Sequence, residues 1–362
     1  MQRMAKRLID FIRNHPILSK LYVFFLGTRG FPTKWREIVA RELDQYSVMN
    51  GSGGFLRKRM LYYDILYCVL VHGISPSEYF LYDFQKLSEK GRAEYMGDFM
   101  KDMLCTQIED KNARKIFHDK ALTYEYFRDY FHRDCIVVDK PEDWSAFSEF
   151  TKKHDKFLIK AVFESRGKSI YLVDRKLNEK TDRDLFDMIM KTGKCLVEEY
   201  IVQGAPLSNI HSESVNTVRF ATAYIDGDVK LLFAELRMGC GDSFVDNAGA
   251  GGIVALIDIK SGIVSGIGCR ENGERYIFHP DSNVKIVGTE LPEWEALLKL
   301  VKELAAVVPQ QKYVGWDLAY SQDGWVLVEG NHRAQMVGYQ LCCGHGVRKE
   351  ILGALKMRYN MY

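Results

Sequence analysis

The chain has 362 residues, of which 47% are hydrophobic and 27% charged, a composition typical of globular proteins. Its formal net charge of +2 gives no strong field toward nucleic acid, so no nucleic-acid partner is expected. No apolar run reaches the roughly eighteen residues of a membrane-spanning helix, and no secretory signal is evident. The eight cysteines form no C-x-x-C pair. Together these features predict a cytoplasmic protein with reduced thiols.

Residues 1–104 have a helical pattern. Apolar residues recur at intervals of three and four in LIDFIRNHPILSKLYVFFLG (8–27) and KRMLYYDILYCVLVHG (58–73). Residues 1–36 combine eight Lys and Arg residues with the apolar run LYVFFLG. This combination suggests peripheral contact with an anionic membrane. The alternative is a helical lobe whose apolar residues pack on the rest of the protein.

The pattern changes at residue 157, where strand-like segments begin to alternate with turn signals such as DGD (226–228). One long helix is predicted over 292–308. Helices followed by an antiparallel meander predict an α+β fold. The strand-like segments are FLIKAV (157–162), SIYLVD (169–174), KCLVEEYIV (194–202), VRFATAYID (218–226), VKLLFAELRMG (229–239), GGIVALID (251–258), YVGWDLAY (313–320) and WVLVEGN (325–331).

Two of these segments carry charge in or after an apolar strand. Lys160 interrupts FLIKAV and precedes the loop ESRGKS (164–169), a combination suited to nucleotide phosphates. A hairpin lysine whose charge reaches solvent is the alternative. CLVEEYIVQG (195–204) ends in Glu198 and Glu199, which suits a hinge that recognises an adenine edge. Solvated acids on an edge strand are the alternative there.

The last hairpin, YVGWDLAYSQDGWVLVEGN (313–331), carries acids on a core strand. A three-residue loop ending at Gly324 places Asp317 opposite Glu329, with Asn331 on the same face, whereas a two-residue loop separates the two acids. Facing carboxylates need a cation, and these oxygen ligands suit Mg²⁺; solvated acids at a hairpin end are the alternative. The opposite face would be the core face, formed by Trp316, Leu318, Tyr320, Val326 and Val328.

Two arginines lie on neighbouring strand-like segments. Arg219 shares one face of SVNTVRFATAYID (214–226) with small residues, while Asn216 lies on the other, and Arg237 repeats this situation in AELRMG (234–239). A buried arginine needs an anion, which either a ligand or a structural salt bridge supplies. The glycines of DNAGAGGIVALID (246–258) allow the backbone to approach a ligand closely, with ordinary turn formation as the alternative.

In this order, a strand lysine with a glycine loop, an E-E-Y-I hinge, a strand arginine and a D…E-x-N hairpin, the sequence resembles the ATP-grasp superfamily. SVNTVRFAT, VDNAGAGG and VGWDLAYSQDGWVLVEGN resemble the ATP-grasp proteins associated with sugar transfer and surface polysaccharides, over roughly 105–340. The resemblance implies two α+β lobes that grip ATP. It divides the chain into an N-terminal helical region (1–104), an N-terminal ATP-grasp lobe (105–155), a small mobile nucleotide-covering lobe (156–202) and a catalytic, metal-binding lobe (203–362).

The resemblance also implies roles for individual residues in binding ATP and magnesium. Lys160 and Lys120 would meet the phosphates, and Glu198 and Glu199 would frame adenine or ribose. Gln203 is a candidate for the ribose contact. Two Mg²⁺ ions between the β- and γ-phosphates would be held by Asp317, Glu329 and Asn331. The full set of nucleotide residues is Lys120, Lys160, Ser165, Arg166, Gly167, Glu198, Glu199, Tyr200, Ile201 and Gln203, of which Ser165, Arg166 and Gly167 would cover the phosphates.

The implied reaction is amide formation from a carboxylate and an amine through an acyl phosphate, with an amino acid or uronic acid in polysaccharide assembly as substrate. Arg219, Arg237 and Asn216 are the candidate catalytic residues. Peptide-forming relatives often have an arginine where this chain has Gly315, which leaves space there, so Arg219 or Arg237 would stabilise the acyl phosphate. A phosphotransferase acting on a hydroxyl and a non-catalytic ATP-binding scaffold are the alternatives.

Overall fold

The chain is described here by a computed structural model, and it divides into two compact units. One unit is continuous, Ile108–Ala334, and the other joins the described residues of Met1–Gln107 to those of Gln335–Tyr362. The division into four lobes stays a prediction. Of the helices in the described residues, none has the length and apolar content needed to cross a membrane. The structure describes residues 15–26, 33–50, 54–163, 170–177 and 180–357.

The secondary structure follows the predicted order of helices first and strands second. The α-helices of the described residues are α1 (Pro16–Leu26), α2 (Thr33–Asn50), α3 (Phe55–Val71), α4 (Pro76–Leu81), α5 (Glu89–Arg92), α6 (Asp98–Ile108), α7 (Lys111–His118), α8 (Lys120–Phe127), α9 (Trp144–Lys153), α10 (Asp182–Thr192), α11 (Leu207–Ile210), α12 (Trp294–Val307), α13 (Val337–Cys343) and α14 (Arg348–Ala354). The strands are β1 (Cys135–Val138), β2 (Lys156–Ala161), β3 (Ile170–Asp174), β4 (Cys195–Glu199), β5 (Thr217–Ile225), β6 (Asp228–Met238), β7 (Ile253–Asp258), β8 (Ile263–Val264), β9 (Gly268–Cys269), β10 (Arg275–Tyr276), β11 (Tyr313–Ser321) and β12 (Gly324–Asn331).

Helix caps and a buried ion pair order the first unit. α4 begins at Pro76 because the Ser75 hydroxyl accepts a hydrogen bond from the Glu78 amide, while the Glu78 carboxylate accepts one from the Ser75 amide at 2.7 Å. The Arg92 guanidinium is buried and donates to both carboxylate oxygens of Asp64, at 2.9 and 2.7 Å. This two-point contact joins α5 to α3.

The small sheet of the second unit has the strand order β1–β4–β2–β3, and every neighbouring pair is antiparallel. Side chains alternate between its faces. Phe157 lies on the face that packs against α9 and α10, where it meets Phe147 and Phe186. Lys160 and Glu198 lie on the opposite face, because each is one or three positions along its strand from the residues that face the core.

The large sheet has the order β10–β9–β7–β6–β5–β11–β12, with β8 beside β7, and it is also antiparallel. Its core face packs against α12, where Trp294 and Leu297 join Phe220 and Trp316 in one apolar cluster. α7 and α8 add Phe117 and other side chains to the same cluster. Helices on one side of antiparallel sheets confirm the predicted α+β class. The second face of the large sheet carries charge.

Candidate functional site

Four neighbouring strands of the large sheet place one charged side chain each in a single transverse row. Glu329 on β12 pairs with Asp317 on β11, Asp317 pairs with Arg219 on β5, and Arg219 pairs with Glu235 on β6. Cross-strand partners point to the same face of a sheet. All four therefore lie on the face turned away from α12. We call these four residues the charged row.

The pairing of Asp317 with Glu329 is confirmed, but the predicted three-residue loop is wrong. Ser321 pairs with Gly324, so the loop has two residues. A one-residue β-bulge at Val328 then shifts the register and brings Glu329 opposite Asp317. The predicted core face is also wrong on β12, because the shorter loop changes which residues of this strand point to the core. The core residues of this strand are Trp325 and Leu327, in place of the predicted Val326 and Val328.

Asp317 is buried and holds two arginines. Arg219 donates to both of its carboxylate oxygens, with Nη2 at 2.7 Å from Oδ2, and Arg237 donates from Nη1 to Oδ2 at 3.0 Å. Burial acts to raise the pKa of Asp317, but the two guanidinium groups lower it to about 2. Both arginines thus form buried salt bridges with Asp317, which is also a predicted metal ligand.

Asp246 connects the charged row to the glycine-rich segment. Its carboxylate lies 3.6 Å from Arg237 Nη2 and accepts hydrogen bonds from the Thr217 hydroxyl and from the Thr217 amide, the latter at 3.0 Å. Gly251, five residues further on, has φ +94°, a left-handed backbone that favours glycine. Asp246 therefore fixes the start of this segment beside Arg237.

The three predicted metal ligands come together at the end of the hairpin. Asn331 Nδ2 lies 2.9 Å from Glu329 Oε1 and 3.4 Å from Asp317 Oδ2. The Asn331 side chain thus bridges the two carboxylates. Two carboxylates and a carboxamide form an oxygen donor set that fits Mg²⁺. Their role as ligands stays a prediction.

A second buried cluster lies on the small sheet. Arg133 donates to Glu198 Oε2 from Nε at 2.9 Å and from Nη2 at 2.5 Å, and the Lys160 ammonium contacts the other oxygen of Glu198. Arg133 also donates to the Leu327 carbonyl of β12 at 2.7 Å, which ties this cluster to the hairpin. Burial, together with the Arg133 charge, lowers the pKa of Lys160 to about 7, while Glu329 acts to raise it. Lys160 is therefore within electrostatic reach of the charged row.

Lys120 lies beside Lys160, as the resemblance implies. It is the first residue of α8, which Asp119 caps by accepting a hydrogen bond from the Ala121 amide at 2.8 Å. Lys120 Nζ donates to the carbonyl of Ala161, the last residue of β2, at 3.2 Å. Its charge contributes to the lowered pKa of Lys160. Two cations thus lie at one end of β2, where anionic phosphates would be stabilised.

Other predicted nucleotide residues are placed differently. Glu199 lies on the opposite face of β4 from Glu198 and accepts a hydrogen bond from the Asp134 amide at 3.1 Å. The two acids thus point to different faces, and their contact with the nucleotide stays a prediction. The Tyr200 ring lies under the Lys156 ammonium, 4.1 Å from it. Ile201 is half-buried in the segment after β4. Three predicted residues lie outside the described residues: Ser165, Arg166 and Gly167.

Asn216 and Gln203 bind each other. Asn216 is fully buried, and its Nδ2 donates to Gln203 Oε1 at 2.8 Å and to the carbonyls of Leu207 and His211 at 2.9 and 2.8 Å. Gln203 Nε2 donates to the Asn216 carbonyl at 2.6 Å. These bonds hold the chain before β5 in place. In this structure the two side chains are bonded mainly to each other and to neighbouring backbone, and the catalytic role of Asn216 and the ribose contact of Gln203 stay predictions.

The expected space beside Gly315 is filled. A Cβ atom at this position would lie 2.3 Å from the Ala334 Cβ and 3.1 Å from the Arg219 Cδ. An arginine cannot be accommodated here without moving the backbone of the following loop. Arg219 occupies this part of the face instead.

The sequence comparison shows which family this chain belongs to. The family model described as "Sugar-transfer associated ATP-grasp" matches residues 92–355, well over half of the chain. The chain belongs to the sugar-transfer associated ATP-grasp family. The predicted family and the predicted ATP-grasp fold are thereby confirmed, and the match extends further toward both ends than the predicted 105–340.

Solved structures of other ATP-grasp proteins are similar to this chain only distantly. D-alanyl-alanine synthetase A from Vibrio cholerae has 11% identity and a TM-score of 0.45, with 68% of this chain and 67% of that chain covered. N5-carboxyaminoimidazole synthetase from Staphylococcus aureus, complexed with ADP, has 12% identity and a TM-score of 0.43, with 74% and 60% covered. D-alanine–D-alanine ligase from Coxiella burnetii has 9% identity and a TM-score of 0.39, with 62% and 50% covered. This chain thus spans between half and about two thirds of these proteins. The comparison with curated proteins found no significant match.

Sequence reasoning missed two residues of this ATP-grasp site, Arg133 and Glu235. Arg133 gives no sequence signal, because it follows a helical turn and meets Glu198 only through the tertiary fold. Glu235 does give one. It stands two residues before Arg237 in the otherwise apolar strand LLFAELRM (231–238), and residues two apart share a face. Burial raises the pKa of Glu235 to about 7.

Proposed function

We propose that this ATP-grasp protein is an ATP-dependent carboxylate–amine ligase, which forms an amide through an acyl phosphate. The observation that carries this proposal is the charged row, in which Asp317 lies directly beside Arg219 on one side and beside Glu329, the second acid suited to Mg²⁺, on the other. Neighbouring strands are about 4.8 Å apart, so a cation stands one strand away from the metal ligands. That is where negative charge develops when a phosphoryl group moves to a carboxylate.

The reaction that we propose needs positioning and neutralised charge, and it needs no protein nucleophile. The substrate carboxylate attacks the γ-phosphorus of ATP and ADP leaves; the amine then displaces orthophosphate. Mg²⁺ held by Asp317, Glu329 and Asn331 would neutralise the phosphate charge. Arg219 and Arg237, already aimed at Asp317, can donate to the transferred phosphoryl group. The cations at the end of β2 would hold the rest of the triphosphate.

We further propose that the substrates are small carboxylates and amines of surface-polysaccharide assembly, among them amino acids and uronic acids. The family's association with sugar transfer supports this setting. A peripheral contact with an anionic membrane belongs to the same proposal. Apolar side chains of α1 and α3 are exposed, among them Phe25 at 70% and Leu56 at 74%, close in sequence to Lys20 and Arg57.

Release of orthophosphate from ATP by the purified full chain, measured across a panel of carboxylates and amines, tests the proposal. A ligase releases orthophosphate only when a suitable carboxylate is present, and forms amide when a suitable amine is added. A phosphotransferase acting on a hydroxyl would give ADP and a stable phosphorylated product without orthophosphate. A non-catalytic scaffold would bind ATP and release nothing. Either of the last two results contradicts the ligase proposal.

A further inference from the structure

Glu235, the fourth member of the charged row, has no part in the chemistry proposed above. Its side chain is buried, with the residue 5% exposed, and its Oε2 has no hydrogen-bond partner among the described residues. The side-chain hydrogen bonds of Arg219 and Arg237 go to Asp317 instead. A buried carboxylate oxygen without a partner costs about 1–3 kcal/mol. Such a group calls for a ligand or another specific explanation.

The position of Glu235 matches the place where the second substrate has to arrive. The row runs Glu329, Asp317, Arg219, Glu235 across four adjacent strands. Two strand spacings separate Glu235 from Asp317, a distance of about 10 Å. The transferred phosphoryl group and the activated carbonyl carbon would lie over Arg219, which stands between the two acids in the row. An amine that attacks that carbon would come from the side of Glu235.

The local charge favours a cation at Glu235. The acids that share this part of the sheet outnumber the two arginines, Arg219 and Arg237, by two; they are Glu329, Asp317, Asp246 and Glu235. An ionised carboxylate only accepts hydrogen bonds, so its partner has to be a donor. A primary ammonium supplies three donors and the missing positive charge, whereas a hydroxyl would leave the buried charge without compensation.

We infer that Glu235 forms the subsite for the acceptor amine, where its carboxylate accepts hydrogen bonds from the primary ammonium group of the substrate and takes one of its protons, so that the neutral amine attacks the acyl phosphate. This inference rests on the proposed ligase function and names the chemical class of its second substrate. It makes Glu235 a residue that determines specificity for amines over alcohols.

The test compares two nucleophiles in reactions of the full chain with ATP, Mg²⁺ and the carboxylate that gives the most orthophosphate. One is hydroxylamine, which is small and uncharged near neutral pH; the other is the primary amine of the panel that gives the most amide. Glu235→Gln should raise the KM for the amine by about tenfold or more, the value of a hydrogen bond to a charged group. The KM for hydroxylamine should change by less than about threefold, since it lacks the charge that Glu235 neutralises.

Glu271→Gln is the matched control, because Glu271 is exposed and its charge acts on Glu235. It should leave both KM values unchanged. If the Gln variant does not fold, Glu235→Asp, which withdraws the carboxylate by one methylene, should give the same contrast. Equal KM changes for the two nucleophiles, or none, would overturn the amine subsite alone. If no carboxylate yields a hydroxamate with the unaltered protein, the ligase proposal itself fails, and the amine subsite fails with it.

Discussion

The two units of the protein differ in opposite ways from a typical globular protein, which buries apolar side chains and exposes charged ones. The large sheet of the second unit buries charge, with Asp317 3% and Arg237 8% exposed. In the first unit, α1 and α3 expose large apolar side chains, with Ile17 and Phe55 each 76% exposed. Buried charges need partners, and exposed apolar patches commonly mark surfaces that bind something. Under the proposed function, the first of these regions would bind a charged substrate and the second a lipid surface.

In the buried region, β-bulges allow charged side chains to lie together on one face of the sheet while apolar side chains stay on the core face. On β5 and β6, a bulge at Leu232 shifts the register, so that Arg219 meets Glu235 instead of Ala234. On β11 and β12, the bulge at Val328 brings Glu329 to Asp317. Bulges re-aim side chains next to functional sites. Both bulges lie between the hairpin turn and the charged row, and together they align four charges on one face.

Removing the charge of Glu329, at the outer end of the charged row, should abolish most of the activity. Glu329→Gln keeps the size of the side chain but removes a predicted metal ligand, so turnover of Mg·ATP should fall by about a thousandfold. The fold should persist, because Glu329 is half-buried at a strand end. Circular dichroism and orthophosphate release measure the two effects. Asp323→Asn in the exposed turn is the control, and turnover near the unaltered rate in Glu329→Gln would exclude the metal role.

Substitutions of Arg219 test whether the charged row takes part in the reaction as well as in stabilising the fold. Arg219→Lys keeps the positive charge but loses the two-point contact with Asp317, so formation of hydroxamate should fall by about a hundredfold. Binding of ATP should stay within about threefold, since Lys160 and Lys120 provide separate contacts. Arg219→Ala should fail more completely and also lower the melting temperature, because Asp317 then keeps a single strong partner. Full hydroxamate formation in Arg219→Lys would assign Arg219 to structure alone.

The protonation state of Lys160 should make the binding of ATP depend on pH. Its pKa near 7 lies below the ordinary lysine value because of burial, so the free protein holds this side chain mostly uncharged at pH 8 and mostly charged at pH 6. Triphosphate favours the charged form. Binding of ATP should therefore take up about one proton at pH 8 and much less at pH 6. Calorimetry in buffers of different ionisation enthalpy measures this uptake. Lys160→Met should remove it and weaken ATP binding by about tenfold, while Lys152→Met on α9 should change neither.

The exposed region of the first unit gives the smallest expected effect. Phe24→Ser with Phe25→Ser should reduce cosedimentation with anionic vesicles severalfold, because a phenylalanine that enters the apolar layer only in part contributes well below about 2 kcal/mol, the value of full burial. ATP turnover should be unchanged. Leu177→Ser is the matched control, since Leu177 is 85% exposed in the second unit. If both variants bind vesicles as the unaltered protein does, the membrane contact is excluded and the contrast between the two units loses its second half.

Much of the site could be predicted from the sequence, since its residues lie on strands with clear patterns. Asp317, Glu329 and Asn331 were recognisable as two acids and an amide in a hairpin, and Lys160 as a charge inside an apolar strand. The register could not be predicted, because a bulge adds one residue without any sequence signal. For the same reason Val326 and Val328 were assigned to the core. Glu235 was missed for another reason, since its spacing of two residues from Arg237 does indicate a shared face. The buried bonds of Asn216 depend on Gln203 and on two distant carbonyls, and strand periodicity does not show such contacts.

The central claim, that a carboxylate is activated as an acyl phosphate, has one direct measurement. A carboxylate substrate labelled with ¹⁸O in both oxygens is incubated with the protein, ATP, Mg²⁺ and an amine, and the orthophosphate is examined by mass spectrometry. Attack of a carboxylate oxygen on the γ-phosphorus leaves that oxygen on phosphate when the amine displaces it. We expect one ¹⁸O atom in each orthophosphate and one in each amide. Orthophosphate that forms together with amide but carries no ¹⁸O would contradict the acyl-phosphate mechanism.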